Sequence, residues 1–107
     1  MNGVIAVGTP KRLASLPDVP TVAEQGYPGF ETSQWYGLNA PAKTPPAIVQ
    51  RLADEAAKAA KSPAVLQRYA ADDAESIGST PQEYADFIAK EQARWKDVIQ
   101  KAGVRAD

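Results

Sequence analysis

Apolar positions predict strands in the first part of the chain. Residues 4–7 are a short apolar run, rich in β-branched side chains and bounded by glycines, which is typical of a buried strand. A second strand is predicted over residues 30–39, centred on Trp35 and Tyr36. Residues 74–77 could add a small edge strand. The proline-rich loop after the first strand lacks N–H groups that a sheet ladder needs, so we expect it to stay outside the sheet.

A brief helix is predicted between the first two strands. Thr21 can cap residues 22–25, and Glu24 lies at the spacing of a capping box. Gly26 follows as the residue expected to end this helix in the left-handed region.

The remainder of the chain predicts three helices. Each is expected to begin where a hydroxyl residue at the N-cap precedes a proline at the first helical position, as in Thr44-Pro45, Ser62-Pro63 and Thr80-Pro81. The first helix carries an apolar face of Ile48, Val49, Leu52, Ala56 and Ala59. The last helix, which ends at Gly103, carries a longer stripe of Tyr84, Phe87, Ile88, Trp95, Val98, Ile99 and Ala102. A few strands followed by three helices predict an α/β fold, with α+β as the alternative.

Composition fits a single domain over residues 1–107, because 44% hydrophobic and 23% charged residues are ordinary for a globular protein. The net charge of −1 provides no basic field for nucleic acid or anionic lipid. Residues 1–9 have no basic region and too short an apolar stretch for a signal peptide. As it stands, the chain is therefore expected to remain in the cytoplasm.

The sequence lacks histidine, which is the commonest general base and the commonest transition-metal ligand. There is no histidine and no cysteine, so a Ser-His-Asp triad, thiolate chemistry and disulfides are excluded. Spacing alone does not exclude a Ser-Lys pair, but no local motif indicates one. Asp72, Asp73 and Glu75 could hold a metal, although a solvated helix end is the favoured interpretation because the spacing is not that of a calcium loop. The sequence predicts no enzyme and no cofactor.

Trp35, Tyr36 and Thr21 are the candidate ligand-binding residues. On a strand, Trp35 and Tyr36 point to opposite faces, so one could pack in the core while the other faces a groove. The simpler interpretation is that both are packing residues, and capping is a sufficient role for Thr21. Lys11 and Arg12 could meet a carboxylate, but an exposed pair of loop charges is the simpler interpretation.

The order and spacing of many motifs resemble one receptor family. They are Ile5-Ala6-Val7, Lys11-Arg12, Leu16-Pro17-Asp18-Val19-Pro20-Thr21, Glu24, Gly26, Pro28-Gly29-Phe30-Glu31, Trp35-Tyr36-Gly37-Leu38, Ala40-Pro41, Thr44-Pro45, Ile48-Val49 and the tail Ala102-Gly103-Val104-Arg105-Ala106-Asp107. Together they resemble the C-terminal third of the tripartite tricarboxylate transporter receptors, the Bug-type (TctC) periplasmic solute-binding proteins. The resemblance covers essentially the whole chain.

This resemblance implies part of a two-lobed, periplasmic-binding-protein-like (type II) fold. Its parent would be secreted, would bind small organic carboxylates and would deliver them to a membrane permease. Residues 4–7 would be a strand of the second lobe, residues 32–38 would lie near the crossover, and the helices would pack on the first lobe. The alternative is a truncated structural domain without its own ligand site, which covers its exposed strand edges as a homo-oligomer.

Overall fold

The computed structural model describes residues 3–106. Met1, Asn2 and Asp107, which belong to the N-terminal segment and the tail considered above, lie outside the described residues. The regular elements are a 3₁₀ turn at Ala23–Gln25 and three α-helices: α1 at Pro46–Ala60, α2 at Pro63–Ala71 and α3 at Pro81–Ala102. The three predicted helices and the short turn are thus confirmed. No helix within residues 3–106 has the length and apolar character required to cross a bilayer.

α1 begins one residue later than the sequence predicts. Its N-cap is Pro45, and no side chain caps it. The predicted N-cap at Thr44 is wrong, because the Thr44 hydroxyl donates to the Pro41 carbonyl at 2.7 Å instead. Pro46 explains the shift: a residue that precedes proline is held away from the helical region, and Pro45 accordingly has a ψ of 136°.

The caps of the other two helices follow the prediction. The hydroxyl of Thr80 accepts from the Glu83 N–H at 3.1 Å. The Glu83 carboxylate in turn accepts from the Thr80 N–H at 3.3 Å, which completes the capping box. α3 ends at Gly103 with φ 67°, in the left-handed region. At the start of α2, Ser62 Oγ accepts from the Val65 N–H over a long 3.4 Å.

The predicted strands do not form within residues 3–106. In their place is a single parallel bridge between Val7 and Thr21. The Val7 N–H donates to the Pro20 carbonyl at 3.0 Å, and the Val22 N–H donates to the Val7 carbonyl at 2.9 Å. A strand needs a ladder of such bonds, and residues 4–6, 30–39 and 74–77 have no neighbour here that supplies one. Within residues 3–106, one parallel bridge is therefore all that forms of the predicted sheet.

Gly8 makes the closest backbone approach next to this bridge. Its carbonyl accepts from the Thr32 N–H at 2.8 Å. A Cβ on Gly8 would lie 2.6 Å from the Thr32 methyl carbon and 3.1 Å from the Thr32 carbonyl oxygen. The absence of a side chain at Gly8 therefore allows the segment that contains Thr32 to bond beside Val7.

The described residues divide into two compact units. Residues 3–38 with Gln67–Glu75 form the first, and Asn39–Leu66 with residues 76–106 form the second. In the first unit, the Ser15 hydroxyl donates to the Asp73 carboxylate, which ties the N-terminal loop to the end of α2.

In the second unit, α1 packs against α3. Ser76 donates to the Ala60 carbonyl at 2.7 Å and so anchors the segment that leads to α3. Small residues make up the half-buried face of α1, whereas its larger Ile48 and Leu52 are about half exposed. The half-buried face therefore shares only Val49 with the apolar face named from the sequence. The half-buried side chains of α1 are Val49, Ala53, Ala57 and Ala60.

None of the apolar side chains in residues 3–106 is buried. Trp95, which belongs to the apolar stripe of α3, is 38% exposed. Its indole N–H donates to Glu91 at 2.8 Å, and the Arg94 guanidinium lies 5.2 Å from its ring centroid. α3 therefore carries the predicted apolar stripe, but residues 3–106 provide too little neighbouring surface to bury it.

We expect Gly8→Ala to destabilise the first unit by about 1–3 kcal/mol, the usual cost of forcing an extra carbon into occupied space. The new Cβ must displace Thr32 and lengthen the bond to the Gly8 carbonyl. Gly3→Ala is the matched control, because nothing lies within 4 Å of its added Cβ. Urea unfolding of both variants measures the difference, and equal losses would contradict the close approach.

We expect Thr80→Ala to cost about 1 kcal/mol, because it removes the hydroxyl acceptor of a capping box. Thr44→Ala, at the superficially similar Thr-Pro pair before α1, should cost distinctly less because no helix N–H depends on Thr44. Urea unfolding followed by helical circular dichroism compares the two variants. A larger loss from Thr44→Ala would show that α1 has its cap where the sequence first placed it.

Candidate functional site

An open depression in the first unit is lined by four consecutive residues, Ser33, Gln34, Trp35 and Tyr36. Their side chains offer two hydroxyls, an amide and an indole N–H, all of which can donate hydrogen bonds without carrying charge. The two aromatic rings add apolar surface beside those donors. These four residues therefore place neutral hydrogen-bond donors beside two aromatic rings on an open surface.

The two aromatic residues differ in exposure. Tyr36 is 92% exposed and Trp35 42% exposed. The Tyr36 side chain thus packs little against the rest of the chain, whereas the Trp35 side chain interacts with other residues of the chain. Whether either residue touches a ligand stays a prediction.

Thr21 lies in a different setting from the aromatic pair. It is 2% exposed, and it is the buried residue of the described part of the chain. Its hydroxyl accepts from the Glu24 N–H at 3.1 Å, while its own N–H donates to the Glu24 carboxylate at 2.8 Å. The predicted capping box is confirmed, and the turn ends at Gly26 with φ 105°. The hydroxyl and the N–H of Thr21 are therefore both hydrogen-bonded within the turn.

Arg12 holds this turn from the side. Its Nη2 donates to Glu24 Oε1 at 2.8 Å, and its Nε lies 3.2 and 3.1 Å from the two carboxylate oxygens. Its Nη1 donates to the Pro17 carbonyl at 3.2 Å. Arg12 therefore meets a carboxylate of its own chain. Sequence reasoning missed this pair because the two residues are twelve positions apart in a region without periodicity.

The ion pair changes the acidity of both groups. The hydrogen bond from Arg12, followed by that from the Thr21 backbone, lowers the pKa of Glu24 from 4.5 to about 2. The same hydrogen bond raises the pKa of Arg12. Glu24 is consequently a carboxylate throughout the neutral range, and Arg12 has most of its donors directed at Glu24 and Pro17.

The acidic residues after α2 have separate partners. Asp72 lies 3.6 Å from the Arg68 guanidinium, and Asp73 accepts from Ser15. No group of three or more acidic, histidine or cysteine side chains within residues 3–106 is arranged to hold a metal ion. These acids therefore act as charge and hydrogen-bond partners near the end of α2.

Comparison with known proteins shows which family the chain belongs to. The family model described as tripartite tricarboxylate transporter family receptor matches residues 3–104. The chain belongs to this receptor family. The family resemblance inferred from the motifs is thereby confirmed.

Individual relatives agree with this assignment. Protein BugT of Bordetella pertussis is 37% identical over 101 residues, which are 94% of this chain and 31% of BugT. A UPF0065 protein of Agrobacterium vitis is 40% identical over 106 residues, covering 92% of this chain and 29% of that protein. The solved structure of R. palustris Rpa4515 with adipate matches with a TM-score of 0.79 at 38% identity, over 92% of this chain and 33% of that one. The chain spans about a third of the length of these proteins.

We expect acid to weaken the first unit through Glu24. Because the folded pKa of Glu24 is depressed, its contribution to stability is complete above about pH 4.5 and is lost as the pH falls towards 2. Glu24→Gln should remove this pH dependence, whereas Glu31→Gln, which changes an exposed carboxyl outside the network, should preserve it. Unfolding midpoints between pH 6 and 2 (about four pH units, a range that spans both protonation states) measure the effect. An unchanged slope in Glu24→Gln would contradict the role of the pair.

Proposed function

We propose that the chain is the C-terminal part of a solute-binding receptor that takes up small organic carboxylates for a tripartite transporter. The observation that carries this proposal is the likeness to Rpa4515, whose solved structure contains adipate. In the parent receptor the working compartment is the periplasm, and the partner is the membrane permease that receives the solute. The role is binding without catalysis or a cofactor, in keeping with a sequence that has neither histidine nor cysteine.

The chemistry of the depression suits a linear dicarboxylate. Carboxylate oxygens accept hydrogen bonds, and the lining supplies neutral donors from Ser33, Gln34 and Tyr36. The methylene chain of such a ligand can lie against the ring of Trp35. Arg12 is a weak candidate for the ligand carboxylate because its donors are engaged by Glu24 and Pro17. We therefore propose recognition through neutral donors and aromatic surface.

Among the three residues predicted from the sequence, Trp35 and Tyr36 are the proposed direct contacts. Thr21 is the buried residue, so we propose that it acts on the ligand through the position of its turn. A ligand contact with the Thr21 hydroxyl would have to compete with its bond to the Glu24 N–H.

The second candidate function is a structural domain that associates with copies of itself. The observation that favours it is the large number of exposed apolar side chains, which a homo-oligomer could cover. The two functions differ in their need for a solute. A receptor part contributes residues to a site that discriminates between carboxylates, whereas an oligomerising domain presents only interfaces.

The test is a receptor in which this chain replaces the matched third of Rpa4515, titrated calorimetrically with adipate and a panel of other di- and tricarboxylates. We expect saturable binding, and we expect Trp35→Ala to weaken it by about tenfold or more, equivalent to roughly 1.4 kcal/mol. Trp95→Ala is the matched control, since it removes the same side chain at similar exposure on α3.

A folded hybrid that binds no carboxylate would contradict the receptor role. Light scattering of the isolated chain then decides whether the oligomerising function replaces it. Equal losses from Trp35→Ala and Trp95→Ala would contradict the proposed site while leaving the receptor role intact.

A further inference from the structure

We draw no further inference here: the strongest candidate, the partly exposed apolar patch that Trp95, Val98 and Ile99 form on the C-terminal half of α3, carries none because nothing in the structure shows what covers it.

Discussion

The first unit depends on the contact between Val7 and Thr21. This bridge joins residues that are far apart in sequence, and its two hydrogen bonds fix the register of the chain around the proline-rich loop. Thr21 can hold that position because it exchanges two hydrogen bonds with Glu24. The Glu24 carboxylate is in turn bound by Arg12. The bond from Arg12 to the Pro17 carbonyl then fixes the path of the loop itself. Closing a loop of this length has an entropic cost that several small interactions must offset together.

The charges in this network specify geometry more than they add stability. The side chains of Arg12 and Glu24 are 45% and 43% exposed, and water screens ion pairs at such positions strongly. The bidentate arrangement nevertheless has one favourable orientation, so it selects a single position for the turn. The same hydrogen bonds from Arg12 and from the Thr21 backbone lower the pKa of Glu24. With no buried apolar core in residues 3–106, this hydrogen-bonded frame is what orders the first unit.

Local signals could be read from the sequence, and non-local ones could not. The caps at Thr21 and Thr80 and the stops at Gly26 and Gly103 depend on residues within one turn, and all were predicted correctly. The N-cap of α1 was missed because two consecutive prolines act on the residue before the second one. The Arg12 partner was missed for a different reason, since no rule relates two residues twelve positions apart in an irregular loop.

The strands failed for a third reason, because a strand is a property of two segments. Residues 4–7 have the composition of a buried strand, yet only Val7 has a neighbour to pair with. For the candidate site, the sequence singled out Trp35 and Tyr36 as candidates. It could not show that Ser33 and Gln34 line the same depression, because that depends on the path of a segment without regular structure.

In the second unit, the burial of α1, like the pairing of the predicted strands, depends on which segments lie beside it. α1 has a face of small residues that is half-buried, and another that carries Ile48 and Leu52 and stays about half exposed. A helix that is apolar on both faces belongs between two layers, and within its own unit it has α3 as the packing partner. Receptor part and oligomerising domain both require a cover for such surfaces, so exposure alone does not separate them. They are separated by the identity of the cover: the proposed receptor supplies chain that this sequence does not represent, whereas a copy of this chain brings only the same third again.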